Sequence, residues 1–152
     1  MKFEFSAGGI VFRQAQDFGP KPQFSKKNIE VLVCQHSQHH GWVFPKGLIG
    51  DKIKDEQKED TAIREVKEET GVKGKILKPL TPVEYWYVFG GEKIHKTVYY
   101  FLMKFVSGNI TKHDFEMENV EWLPENEVLN RLTYPSDKKV WQEMRKLLIS
   151  NI

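Results

Sequence analysis

At 152 residues, with 39% hydrophobic and 29% charged residues and a formal net charge of +2, the chain has the composition of one soluble globular domain. A domain of that size buries about two-thirds of its unfolded surface, and its charge is too small to argue by itself for a nucleic-acid partner. Cys34 is the single cysteine, which excludes an intrachain disulfide; the first residues lack the apolar core of a signal peptide, and no run nears the roughly 18 apolar residues of a transmembrane helix. One cytoplasmic domain over residues 1–152 is expected.

Residues 3–12 gather apolar and aromatic side chains around Ala7-Gly8-Gly9 and read as a strand, with the glycine pair marking a bulge or a close backbone approach. Residues 14–27 hold Gly19, Pro20 and Pro22 among polar residues without any period, the pattern of a flexible hairpin loop. Residues 28–35 are rich in β-branched side chains and form a second strand, in which Cys34 reads as a buried thiol. A turn follows at 36–41. Its neighbours His39 and His40 lack acids or thiols at zinc-site spacing, so a place beside the mouth of a site fits them better than a zinc centre. Residues 42–47 make a short strand ending at Pro45-Lys46-Gly47.

From Glu56 onward neither Pro nor Gly interrupts the chain until Gly71, which predicts a helix over 56–70 closed by a C′ glycine. Strands are expected over 73–80 and 83–89, a hairpin turn at Gly90-Gly91, and a long, largely buried strand over 93–106. An irregular loop at 108–118 leads to a short strand at 120–123 and helices over 125–131 and 137–150. In the last helix Val140, Trp141, Met144, Leu147 and Leu148 recur at helical spacing, so that face packs on the core. Strands interleaved with a central and a terminal helix predict an α/β/α sandwich around a mixed sheet.

The central helix carries the chemistry. Glu65, Glu68 and Glu69 stand at i, i+3 and i+4, so their carboxylates share one face, and like charges so placed oppose an isolated helix by roughly 0.2–0.5 kcal/mol per pair. Lys67 points elsewhere and Arg64 reaches only part of the cluster. A divalent cation resolves the rest of the repulsion, and hard ions such as Mg²⁺ take carboxylates together with phosphate oxygens and water.

From Gly50 to Val72 the chain reads Gly-x5-Glu-x7-Arg-Glu-Val-x-Glu-Glu-x-Gly-Val, nine fixed positions across 23 residues. That pattern resembles the signature of the Nudix hydrolases, and the likeness extends over nearly the whole chain. The resemblance implies the Nudix α/β/α sandwich, a Mg²⁺ or Mn²⁺ cofactor and hydrolysis of a nucleoside diphosphate linked to another moiety. It makes Glu65 and Glu69 metal ligands, gives Glu68 the metal or its water, lets Arg64 hold a carboxylate in place, and has Glu56 support the metal waters. A further metal ligand or general base from a later loop falls on Glu116, by its offset from Trp122-Leu123; Glu118 is the other acid there, and Glu65 remains an alternative base. The family's glycine usually belongs to the Pro-Lys-Gly tripeptide. Here the loop after it is about three residues longer, and either Gly47 or Gly50 fills that role.

Phe5-Ser6-Ala7-Gly8-Gly9, Tyr85-Trp86-Tyr87 and Lys96-Thr97-Val98 with Tyr100 look like the bacterial diadenosine tetraphosphate hydrolases. That likeness implies asymmetric cleavage of this dinucleotide to ATP and AMP, with Lys46, Tyr87, Lys96 and Tyr134 binding substrate. Lys93 is a further cation for the phosphates, and one face of the Tyr85–Tyr87 strand offers an aromatic plate for a purine. Competing readings are a house-cleaning nucleoside triphosphate pyrophosphatase of the 8-oxo-dGTP type, an enzyme acting on the 5′ end of RNA, and a non-catalytic nucleotide-binding module. The expected partner is a small nucleotide, with no membrane, and the expected state is monomer or homodimer.

Overall fold

The computed structural model describes residues 1–14 and 28–151; the loop expected over 14–27 lies outside the described residues, apart from Gln14. Eight strands form one sheet: β1 (Lys2–Gln14), β2 (Ile29–His36), β3 (Trp42–Val43), β4 (Lys46–Leu48), β5 (Val72–Pro79), β6 (Val83–Phe89), β7 (Glu92–Gly108) and β8 (Met117–Pro124). The helices are α1 (Lys58–Thr70), α2 (Val128–Arg131) and α3 (Pro135–Asn151). No helix among the described residues is long and apolar enough to cross a membrane.

The axis of the sheet is the parallel pair of β1 and β7, in unbroken register from Lys2 opposite Ile94 to Phe12 opposite Lys104. Every other pairing is antiparallel, so the sheet is mixed. The unbroken register decides the question of Gly8-Gly9 against a bulge. A Cβ on Gly8 would stand 2.2 Å from the Pro45 carbonyl oxygen, and Gly9 N–H donates to that same oxygen at 3.2 Å. The missing side chain lets the Phe44–Lys46 segment lie directly on β1.

Alternation along the strands separates two cores. On one face Ala7, Val11, Val72 and Met103 pack against Ala62 and Val66 of α1; on the other Ile10, Val31, Phe44 and Val98 pack against Val140, Trp141, Met144 and Leu148 of α3. Fully burying an aliphatic side chain of this size contributes about 1.5–3 kcal/mol. The helix spacing expected for the terminal helix is therefore the spacing that seats it.

The strand expected over 42–47 is split at Phe44-Pro45 into β3 and β4, and the terminal helix starts two residues early at Pro135; three further differences have a visible cause. The central helix begins at Lys58 because Asp55 adopts a left-handed φ of 63° and Gln57 is extended, which leaves Glu56 in the approach to the helix. The stretch expected as a helix over 125–131 is a 3₁₀ turn at Glu125–Glu127 followed by the single turn of α2. The last strand begins at Met117, earlier than 120, because its first residues pair with the end of β2. The expected C′ glycine is in place: Gly71 has φ 80° and its N–H donates to the Lys67 carbonyl at 2.8 Å.

Candidate active site

Helix α1 is short of apolar side chains, and part of what it turns toward the sheet is acidic. Glu65 and Glu69 are 5% and 4% exposed, beside the buried Thr61, Ala62, Val66 and Thr70. Burying a carboxylate is costly unless a partner compensates it. Glu69 Oε2 accepts a hydrogen bond from the Lys46 backbone N–H at 2.8 Å, and makes no ion pair among the described residues. Burial first, then the neighbouring Glu65, push the Glu69 carboxyl well above the usual carboxylate range. Burial likewise raises Glu65, against the pull of Lys52 and Arg64. Glu68 differs. It lies at the rim, where Lys52 Nζ donates to it at 2.6 Å, and that bond lowers its pKa.

Arg64 organises three of the acids. Its Nε and Nη2 donate to the two oxygens of Glu56 at 3.0 and 2.9 Å, while Nη1 donates to Glu65 at 3.0 Å and to Glu68 at 3.2 Å. Glu56 also accepts from the Thr61 hydroxyl at 2.7 Å, and the Arg64 hydrogen bonds hold its carboxyl below the usual range. Glu56 thus anchors the guanidinium, and the guanidinium anchors Glu65.

The two glycines that compete for one role divide it between them. A Cβ on Gly47 would stand 2.1 Å from the Glu65 carboxyl carbon, so only a glycine there lets β4 lie on that carboxylate. Gly50 has φ 78° and makes the turn, and a Cβ there would meet nothing within 4 Å.

Glu69 opens into a cleft of about 750 Å³, which is the size of a small-molecule site. Lys46 lies beside it, Tyr85 and Tyr87 come from β6, Glu116 from the approach to β8, and His39 and Tyr134 from two loops. Lys46 Nζ donates to the Tyr85 hydroxyl at 3.2 Å, and the Tyr134 hydroxyl is 2.9 Å from His39 Nδ1. The expected alternation of the aromatic strand is observed, since Tyr85 and Tyr87 line the cleft while Trp86 packs against His95 and Lys93. Lys93 is therefore removed from the site: its ammonium lies 4.6 Å above the Trp86 ring, on the opposite face of the sheet. Lys96 shares the Tyr85 face but does not line the cleft, and its ammonium is 3.7 Å from Glu4.

Of the two loop acids, Glu116 lines the cleft, with its carbonyl accepting from both the backbone N–H and the hydroxyl of Ser37 at 2.9 Å. Glu118 is instead bound to His40 Nδ1 at 2.6 Å. Of the two histidines expected beside the mouth of a site, only His39 lines the cleft, where it stacks on His36, while His40 is held by Glu118. Asp137, 2% exposed, also lines the cleft and takes the Phe44 N–H and the Tyr100 hydroxyl on Oδ1 at 3.4 and 3.3 Å. Read along the chain it was only the first residue of an amphipathic helix. An acid in the first turn after Pro135 was the available signal.

Among the described residues, no three His, Cys, Asp or Glu side chains converge closely enough to hold a metal on their own. The donor set still fits a hard divalent ion. Mg²⁺ is commonly held by one or two carboxylates, with substrate phosphates and water completing its shell. Glu65 and Glu69, buried, mutually repelling and all-oxygen, meet that description.

The NUDIX domain family matches residues 23–146. This chain belongs to the Nudix family. Its α/β/α sandwich around a mixed sheet is the architecture that membership implies. The chain is 39% identical to the putative mutator protein MutT4 of Mycobacterium tuberculosis (strain CDC 1551 / Oshkosh) over 147 residues, 95% of this chain and 56% of that protein. It is 29% identical to the 8-oxo-(d)GTP phosphatase of Mycolicibacterium smegmatis over 141 residues, 93% of this chain and 41% of that protein. It thus spans about half the length of these curated relatives. Among solved structures, the binary complex of C. elegans Ap4A hydrolase superposes with a TM-score of 0.67 at 21% identity, over 97% of this chain and 98% of that one. The NUDIX domain of Shewanella oneidensis NrtR, complexed with ADP ribose, gives 0.68 at 21% identity over 97% and 90%. At these identities the shared property is the fold.

The Nudix helix yields one direct expectation. Arg64→Lys keeps the charge but loses the planar fork that spans Glu56, Glu65 and Glu68. A loss of about 10–100-fold in metal affinity is expected, as for other residues that hold a ligand in place. Titration with Mn²⁺ followed by electron paramagnetic resonance measures it.

Proposed function

We propose that this Nudix domain is a Mg²⁺- or Mn²⁺-dependent pyrophosphohydrolase of nucleoside polyphosphates, with diadenosine tetraphosphate as its substrate, cleaved by water into ATP and AMP. The observation that carries the reading is that the buried Glu69 carboxylate opens into a cleft shared with Lys46, Glu116 and the rings of Tyr85, Tyr87 and Tyr134. Acids for a cation, a lysine for phosphate and flat rings for a base meet there.

Glu65 and Glu69 would hold the cation, joined by Glu68 and Glu116. When bound, a divalent ion neutralises phosphate charge and makes a water nucleophilic at neutral pH. Glu116 reaches the cleft from outside the helix and accepts the proton of the attacking water, with Glu65 as the alternative base. Glu56 acts through Arg64, fixing Glu65 before substrate arrives. Lys46 exchanges its hydrogen bond with Tyr85 for a phosphate oxygen, and Lys96, on the same sheet face as Tyr85, supplies a second cation beyond the lining of the cleft. Tyr87 and Tyr134 present ring faces on which adenine stacks.

A second reading, a house-cleaning pyrophosphatase that cleaves a damaged nucleoside triphosphate to the monophosphate and pyrophosphate, draws its substrate class from one curated relative, which is named an 8-oxo-(d)GTP phosphatase. The two differ in their products. Incubation with Mg²⁺ and a panel of diadenosine polyphosphates, 8-oxo-dGTP, capped RNA and ADP-ribose, followed by product chromatography, separates them. ATP plus AMP at the highest kcat/KM supports the first reading, and release of pyrophosphate from 8-oxo-dGTP replaces it with the second. Binding without turnover on any compound would sink the enzyme reading in favour of a nucleotide-binding module.

A further inference from the structure

We propose that Glu4 is a positioning residue of the binding cleft: one carboxylate oxygen ties the Tyr87 ring and the Lys96 ammonium together and fixes both before substrate arrives. The inference rests on the proposed function, in which Tyr87 and Lys96 contact the nucleotide.

The sheet places these groups together although they are far apart in sequence. Glu4 on β1 lies opposite Lys96 on β7, and Lys96 lies opposite Tyr85 on β6, so three adjacent strands present one polar row. Tyr87 is the next residue of β6 on the same face as Tyr85. Its hydroxyl donates to Glu4 Oε1, and the same oxygen is 3.7 Å from Lys96 Nζ. Neither partner is freely solvated: the Lys96 and Glu4 side chains are 13% and 15% exposed. An exposed pair of this kind contributes little. Here burial pulls the Lys96 pKa down, with Lys46 adding repulsion, and Glu4 opposes both. Burial and then the Glu4 hydrogen bond push the Tyr87 phenol up to about 12, so it remains a donor to Glu4 across the working pH range.

Lysine and tyrosine side chains left free must be ordered when a ligand binds, and that ordering weakens affinity. Glu4 removes the freedom in advance. It also pairs with the Lys96 charge, whereas, among the described residues, the Lys46 ammonium has only the neutral Tyr85 hydroxyl within hydrogen-bond reach.

The test is steady-state kinetics with diadenosine tetraphosphate and with 8-oxo-dGTP, on Glu4→Ala, Glu4→Gln, Tyr87→Phe, the pair Glu4→Ala with Tyr87→Phe, and the controls Tyr87→Ala and Lys96→Ala. Glu4→Ala is expected to raise KM on the order of ten-fold, with kcat and Mn²⁺ affinity within two-fold of the parent. Glu4→Gln keeps an acceptor for Tyr87 and falls between the two; it also serves if the alanine variant does not fold. In the Tyr87→Phe background, Glu4→Ala costs less than it does alone, because the link it would break is already gone. An unchanged KM in both Glu4 variants, while Tyr87→Ala or Lys96→Ala raises it, overturns the role of Glu4 and leaves the substrate placement standing. If Tyr87→Ala and Lys96→Ala also leave KM unchanged, the proposed placement of substrate falls with it. A drop in kcat at constant KM overturns the positioning role too.

Discussion

Glu69→Gln and Glu65→Gln are each expected to lower turnover about a thousand-fold at a Mg²⁺ concentration that saturates the parent, while the folded state survives. A divalent cation contributes several kcal/mol of charge stabilisation, and each 1.36 kcal/mol is a factor of about ten in rate. An amide leaves the shape of the helix unchanged but loses the charge that makes a carboxylate a ligand. Stability moves the other way. Glu69 is almost fully buried, lacks an ion pair among the described residues and is opposed by Glu65, so a neutral amide there relieves desolvation and repulsion together, whereas at Glu65 the same relief is offset by the weakened bond to Arg64. Without metal the Glu69→Gln variant should melt at or above the parent Tm; with metal the parent should gain a stabilisation that neither variant does. Calorimetry with and without Mn²⁺, beside the kinetic assay, reads both effects. Near-parental activity in both variants would refute the metal site.

Gly47→Ala and Gly50→Ala should fail in opposite ways. The Cβ at 47 collides with the Glu65 carboxyl, which is the far end of a flexible chain and can swing aside. Stability therefore falls by about 1 kcal/mol, the low end of an overpacking cost, while activity falls about a hundred-fold, the loss typical of a group misplaced by 1 Å. At 50 a Cβ meets nothing, but φ is 78°, where a side chain costs about 1–2 kcal/mol. That variant should lose stability and retain most of its turnover. Paired measurements of Tm and kcat decide between the assignments, and the reverse pattern would give Gly50 the role assigned here to Gly47.

Local patterns carried the fold. A run free of Pro and Gly closed by Gly71, acids spaced one helical turn apart, and the two-residue alternation of Tyr85 and Tyr87 around Trp86 depend only on near neighbours, and each is realised in the structure. The helix that names the family is legible for the same reason, since residues 56–72 are all within a few turns of one another. The boundary at Glu56 was lost because a left-handed Asp55 can be seen only once the chain has turned.

The amino-acid sequence by itself determined that α1 exists and ends at Gly71, that its acids crowd one face, and that strands on either side of it build a mixed sheet. The tertiary structure decided which acids are buried, that Gly47 rather than Gly50 touches Glu65, that Glu116 faces the cleft while Glu118 takes His40, that Lys93 is on the wrong face, and that Glu4 meets Tyr87. These outcomes depend on pairings between strands distant along the chain, such as β1 with β7 and β2 with β8. Alternation assigns residues to two faces, but only the packing of α1 and α3 against the sheet determines which face becomes core and which becomes site.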